Sequence, residues 1–191
     1  MNRTLIIMVK EPRAGRVKTR LGRDIGLTAS AWWFRHAVRR LLRKLSDPRW
    51  DVVLAVAPDG AVNSRCFPAQ YERLPQGPGN LGDRMARMMR AAPPGPVCVI
   101  GADIPSITPA AIWRAFRALG GHDAVFGPSD DGGYWLVGVH NAAHAPAGLF
   151  AGVRWSSANA LADSMASLRG ARIALVDELV DVDTAEDLGR I

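Results

Sequence analysis

The sequence predicts an α/β protein built on a mostly parallel sheet with an antiparallel member. Short apolar runs bounded by Gly, Pro or Asp alternate with helical patterns along the chain, the signature of strand–helix–strand units. Two later apolar runs are joined through Asp130-Asp131-Gly132-Gly133, and Asp-Gly is a strong hairpin signal. With 191 residues, 48% of them hydrophobic and 22% charged, the chain can fill one full core and is short for two. A single domain over residues 1–191 is expected.

The elements follow in order. Thr4–Val9 is an apolar strand, and Ala29–Leu45 has helical spacing behind Thr28. Asp51–Ala57 reads as a strand and Asp83–Ala92 as a helix. Pro93-Pro94-Gly95-Pro96 is a stiff connector into the strand Val97–Ile100. Thr108-Pro109 opens a helix over Ala110–Leu119, since threonine caps and proline suits the first helical position. Asp123–Gly127 and Tyr134–Val139 are the hairpin runs. A helix over Ala158–Leu168, with Ser156 or Ser157 as its cap, a strand at Arg172–Val176 and a last helix after Thr184 complete the chain. Trp32 and Trp33 fall in the first long helix and are expected in the core. Tyr71–Leu74 makes a poor buried strand. No internal repeat or low-complexity tract is present.

Charge is unevenly spread. Residues 1–50 carry 13 Lys or Arg against 3 acids, whereas residues 51–191 carry 11 against 15. That asymmetry suits a site where cations and a carboxylate-held metal share an anionic ligand. Arg35, Arg39, Arg40, Arg43 and Lys44 are assigned instead to a solvated helix face. No apolar run reaches the length of a membrane span and no signal-type cleavage site follows Leu5–Val9, so a cytoplasmic protein is expected. Cys66 and Cys98 lack metal-type spacing, the four histidines are scattered, and no serine sits in Gly-x-Ser-x-Gly. These patterns give no support to zinc hydrolysis or a serine triad.

The chemistry concentrates at three places. The apolar run Val97–Ile100 stops at Gly101-Ala102-Asp103-Ile104-Pro105. Asp103 should therefore sit just past the carboxyl end of a buried strand, where open α/β sheets bind ligands. Pro105 fixes the exit of the chain. Asp103 either holds a divalent metal against a phosphorylated ligand or caps a turn. Directly after the first strand, Lys10, Arg13, Arg16, Lys18 and Arg20 surround Gly15, a composition suited to cradling phosphates though not a P-loop. The hairpin turn through Asp130, Asp131, Gly132 and Gly133, with the aromatic pair Tyr134 and Trp135 behind it, either takes part in substrate binding or simply makes the turn.

Two further stretches have competing explanations. Gly77-Pro-Gly79-Asn-Leu-Gly82 matches Gly-x-Gly-x-x-Gly, but without a solid preceding strand it reads as a loop flexing over another ligand rather than a dinucleotide fingerprint. Thr184 and Asp187 resemble a capping box, which leaves Asp181 and Asp183 unexplained and open to a metal role.

Taken in order, Lys10-x-Pro-x-x-Gly-x-x-Lys-Thr-Arg-Leu21, Asn80-Leu-Gly-Asp-Arg84-Met, Ile100-Gly-Ala-Asp103-Ile-Pro, Gly127-Pro-x-x-Asp131-Gly-Gly-Tyr134, Trp155-Ser-Ser157 and Asp181-Val-Asp-Thr-x-Glu-Asp-Leu188 resemble a bacterial family of short nucleotide-diphospho-sugar transferase-like proteins. That family is described as glycosyltransferases and is partly linked to arsenosugar biosynthesis. The resemblance implies a Rossmann-like three-layer α/β/α sandwich of GT-A type, related to molybdenum cofactor and phospholactate guanylyltransferases. It implies Mg²⁺ or Mn²⁺ held by Asp103 and Asp183. It also implies nucleotide contacts from Lys10, Gly15, Arg16, Lys18, Gly82 and Asp103, and an acceptor pocket bordered by Asp131, Gly132, Gly133 and Tyr134. Ala102 departs from the serine that relatives often carry before the Asp.

The expected activity is transfer of a glycosyl group from a nucleoside diphosphate sugar to a small-molecule acceptor. Asp103, Lys18, Arg20 and Asp131 would carry the chemistry. Nucleotidylyl transfer from a nucleoside triphosphate needs nearly the same residues and is the alternative. A nucleic-acid binder driven by the basic third is disfavoured because the acids after strands would repel a polyanion. A dinucleotide-dependent oxidoreductase rests on the weak glycine match alone.

Overall fold

A computed structural model describes residues 2–146 and 148–179. Seven strands form one sheet: β1 (Thr4–Lys10), β2 (Asp51–Ala57), β3 (Glu72–Pro75), β4 (Val97–Gly101), β5 (Ala124–Pro128), β6 (Tyr134–Val139) and β7 (Ile173–Leu175). Their spatial order is β3-β2-β1-β4-β6-β5-β7. All pairings are parallel except those of β6, which runs antiparallel to both β4 and β5. The mostly parallel sheet with an antiparallel member is thus present.

Among the described residues five α-helices flank it: α1 (Thr19–Ile25), α2 (Leu27–Leu45), α3 (Leu81–Ala91), α4 (Pro109–Ala118) and α5 (Ala160–Ala166). Because side chains alternate across a strand, β1 feeds both faces. Leu5, Ile7 and Val9 meet Leu41, Leu42 and Leu45 of α2 and Ile112 and Phe116 of α4 in one buried cluster. Ile6 joins Met85, Met88 and Met89 of α3 in the other. Full burial of such side chains stabilises by about 1.5–3 kcal/mol each. Within the described residues the one sheet therefore carries a buried core on each face.

Several expectations need correction. Trp32 is 65% exposed and meets the His36 ring at a tilt, with centroids 4.1 Å apart, whereas Trp33 does pack against the core. The two indoles are adjacent on α2, and a 3.6-residue period cannot bury both completely. The segment read as a poor strand forms β3, an edge strand paired with β2; only pairing, not burial, reveals it. The basic stretch after β1 is not loop throughout, since α1 begins at Thr19 and takes in Arg20. The cap of α5 is Asn159, not Ser156 or Ser157. Ser157 Oγ instead accepts from Asn159 N–H and donates to Arg154 O in the turn before it. Asp181, Asp183, Thr184 and Asp187 lie outside the described residues.

Candidate active site

The chain leaves β1 for β2 on one side and later returns to β4 on the other. That reversal between β1 and β4 opens a crevice at the carboxyl edge of the sheet, where ligands bind in such folds. A cleft of about 730 Å³ lies there, within the size range of small-ligand sites. Five cations line it, Lys10, Arg16, Lys18, Arg20 and Arg84, together with Asp103 and Asp131.

Asp103 follows β4 by two residues. A Cβ at Gly101 would fall 2.7 Å from its Oδ1, so that glycine leaves room for the carboxylate above the strand end. Its Oδ2 accepts from Lys18 Nζ at 3.1 Å; the Lys18 side chain is 6% exposed and that of Asp103 41%. Lys18 precedes α1 in the left-handed region, φ 44° and ψ 49°, a conformation that costs a non-glycine residue about 1–2 kcal/mol. Such outliers cluster where structure positions a functional group. Arg20, one turn-residue into α1, projects into the same cleft.

The hairpin tip closes another wall. Asp131 Oδ1 accepts from Ser129 Oγ at 2.8 Å and from Gly133 N–H at 2.9 Å. Both bonds engage one oxygen, leaving Oδ2 for a ligand. The backbone of Gly132 accepts from Leu161 N–H at 3.1 Å, tying the tip to α5. Tyr134 lines the cleft, but its hydroxyl bonds Ser164 Oγ at 3.2 Å and its ring meets Phe126 edge-on. Burial pushes the phenol above its usual range, against the opposing effect of Ser164, so Tyr134 acts as a neutral support. Burial likewise raises the Cys98 thiol in β4, making it an inert core group.

The glycine-rich segment, expected to flex over a ligand, is tied back by side-chain hydrogen bonds. Arg87 donates to the carbonyls of Gln76 and Pro78 at 2.7 and 2.9 Å, and Arg84 to that of Gly79 at 3.0 Å. Asn80 and Asp83 form a reciprocal capping box at the start of α3. Gly82 is buried in that first turn, where a Cβ would fall 2.6 Å from Trp155 Cζ2 and 2.7 Å from Phe150 Cβ.

Of the expected residues, the cleft therefore gathers Lys10, Arg16, Lys18, Arg20, Asp103, Asp131, Gly133 and Tyr134, while Gly15, Gly82 and Gly132 stand outside its lining. Sequence reasoning missed Gln76, Arg84, Trp155, Ser156 and Ser157 as wall residues. Trp155-Ser156-Ser157 could have been found, because it forms one of the ordered motif blocks. Gln76 carries no local signal.

Among the described residues no three His, Cys, Asp or Glu side chains converge as a metal cage. One carboxylate ringed by cations still fits a hard divalent ion, since Mg²⁺ is commonly held by one or two carboxylates plus substrate phosphates. The positive charge beside Asp103 in this structure is the Lys18 ammonium.

The family described as "Uncharacterized protein conserved in bacteria (DUF2064)" matches residues 40–157. The chain belongs to this family. No curated protein matches it. A structure from Desulfovibrio desulfuricans G20, described as a candidate nucleotide-diphospho-sugar transferase, superposes on this DUF2064 chain with a TM-score of 0.87 at 29% identity, covering 96% of this chain and 84% of that one. The 4-diphosphocytidyl-2C-methyl-D-erythritol synthase of Anaerococcus prevotii DSM 20548 gives 0.61 at 11% identity over 99% and 95% of the two chains. A Mycobacterium tuberculosis H37Rv protein in complex with manganese gives 0.56 at 16% identity over 100% and 97%. The last two share the fold with the DUF2064 chain, and the Desulfovibrio protein bears a transferase name.

Proposed function

We propose that this DUF2064 protein is a metal-dependent transferase that binds a nucleoside diphosphate sugar and passes the glycosyl group to a small-molecule acceptor. The observation that carries this reading is Asp103, poised on Lys18 at the topological switch point and surrounded by cleft cations. Arg16, Lys18 and Arg20 would clamp the diphosphate and hold fixed positive charge where negative charge develops as the glycosidic C–O bond breaks. Asp103 would hold Mg²⁺ or Mn²⁺, with Asp183 as a second ligand, and that ion supplies further neutralisation of the leaving diphosphate when bound. Asp131, oriented through Oδ1, would take the acceptor proton on Oδ2 as the acceptor oxygen bonds to the sugar carbon.

Nucleotidylyl transfer is the second reading, favoured by the likeness to the Anaerococcus synthase. There the same cations would stabilise departing pyrophosphate while a phosphorylated acceptor attacks the α-phosphorus.

The test is thermal stability against nucleotide sugars and nucleoside triphosphates, with Mg²⁺ or Mn²⁺ and then EDTA, on wild type and Asp103→Ala. A ligand at a hundred times its dissociation constant stabilises by about 2.7 kcal/mol. Stabilisation by a nucleotide sugar that requires metal and disappears in Asp103→Ala supports glycosyl transfer; preference for a triphosphate supports the second reading. No metal-dependent response to any nucleotide overturns both.

A further inference from the structure

Gln76 is the buried polar side chain that lines the cleft among the described residues, at 5% exposure. Its carboxamide NH₂ donates to Ala55 O on β2 at 2.8 Å and reaches Val9 O on β1 at 3.4 Å. Both partners are carbonyl oxygens, so only the nitrogen can face them and the amide orientation is chemically determined. Oε1 must then point the other way. It has no partner among the described residues, and unlike Glu11 Oε2 and Ser106 Oγ it is not a sealed orphan; its opening is the cleft. The backbone at Gln76 is equally held, its N–H on Val56 O and its carbonyl on Arg87, while Gly77 N–H donates to Asp59 Oδ1 at 3.0 Å. The result is a rigid, preorganised acceptor, which selects ligands that present a donor.

Its place in the sheet indicates which part of a ligand it meets. Gln76 is anchored over β2 and β1, Asp103 leaves β4 on the far side of β1, and two strand spacings amount to about 10 Å. Lys10 and the loop carrying Lys18 come off β1 between them. A nucleotide with its phosphates at Asp103 and those cations can therefore reach Gln76 with its base. Val17, Leu81 and Met85 add apolar lining suited to a flat ring.

We propose that Gln76 determines base specificity by accepting a hydrogen bond from an exocyclic amino group of the nucleobase. The site then favours amino-bearing bases over analogues that place a carbonyl there, because two facing acceptors repel and leave Oε1 unpaired. This inference rests on the nucleotide reading above.

The test measures Mn²⁺-dependent affinity by calorimetry for three pairs that exchange amino for carbonyl: CTP and UTP, ATP and ITP, GTP and xanthosine triphosphate. Inorganic tripolyphosphate reports the phosphate site. In the wild type at least one amino member should bind about ten- to a hundredfold tighter than its counterpart. In Gln76→Met that ratio should fall to near one while tripolyphosphate affinity is unchanged. Equal affinity within every pair in the wild type overturns the proposal, as does a preference that survives Gln76→Met; in either case bound nucleotide leaves the transferase reading standing. Absence of any nucleotide or tripolyphosphate binding overturns both. Should Gln76→Met not fold, the wild-type ratios decide.

Discussion

Lys18 Nζ donates to Asp103 Oδ2 at 3.1 Å across 85 residues of sequence, joining the loop after β1 to the end of β4. Cation and carboxylate are brought together by strand order alone, since β1 and β4 are neighbours in the sheet. The lysine is enclosed and the aspartate remains half-open to the cleft, so an incoming ligand meets the carboxylate first.

Lys18 reaches Asp103 at a backbone cost. Glycine accepts φ 44° freely, whereas alanine pays the left-handed penalty. Lys18→Gly should therefore be more stable than Lys18→Ala by about 1 kcal/mol, read as urea midpoints. Both variants should lose metal-dependent nucleotide stabilisation. A more stable Lys18→Ala would show that the backbone conformation differs.

Asp131 separates turn-making from chemistry. Asp131→Asn keeps an oxygen to accept from Ser129 and Gly133, so its melting temperature should stay near wild type. Its kcat should drop about a hundredfold or more if the carboxylate takes the acceptor proton. Unchanged kcat would leave Asp131 as the turn residue only.

Gly82→Ala should destabilise by about 1–3 kcal/mol, because the added Cβ overlaps Trp155 and Phe150 in a packed wall. Trp155 fluorescence reports the displacement. A neutral substitution would mean that this wall yields readily.

The segment before Trp155 is pinned by Asp163, which accepts from Arg154 Nε at 2.8 Å, Nη2 at 2.9 Å and backbone N–H at 3.0 Å. Those bonds, the side-chain one foremost, lower the carboxyl from 3.8 to about 2. A depressed folded-state value means the contribution is present above the unfolded carboxylate range and is lost as pH falls through about 4 to 2. Asp163→Asn should flatten part of that acid limb in a stability–pH profile. An unaltered limb would contradict the pairing in solution.

The strand–helix alternation was legible because apolar runs and caps are local signals: β2 and β6 match their expected bounds, and Thr108 caps α4 with Pro109 behind it. Asp103 was legible for the same reason, as an acid halting an apolar strand. Tertiary structure decided the rest. β3 exists by pairing with β2, although its own residues are half-exposed. Trp32 faces solvent beside the half-buried Trp33, which turns on the angular phase of α2 and not on hydrophobicity. Gln76 gains its role from two carbonyls on other strands. Sequence by itself determined which segments bury apolar surface and which loops concentrate charge, because both follow from composition within a few residues. Only the tertiary structure decided which of those loops share one cleft, because strand order places Lys18 beside Asp103 and Gln76 beyond them, and that order is set by contacts between residues far apart in the chain.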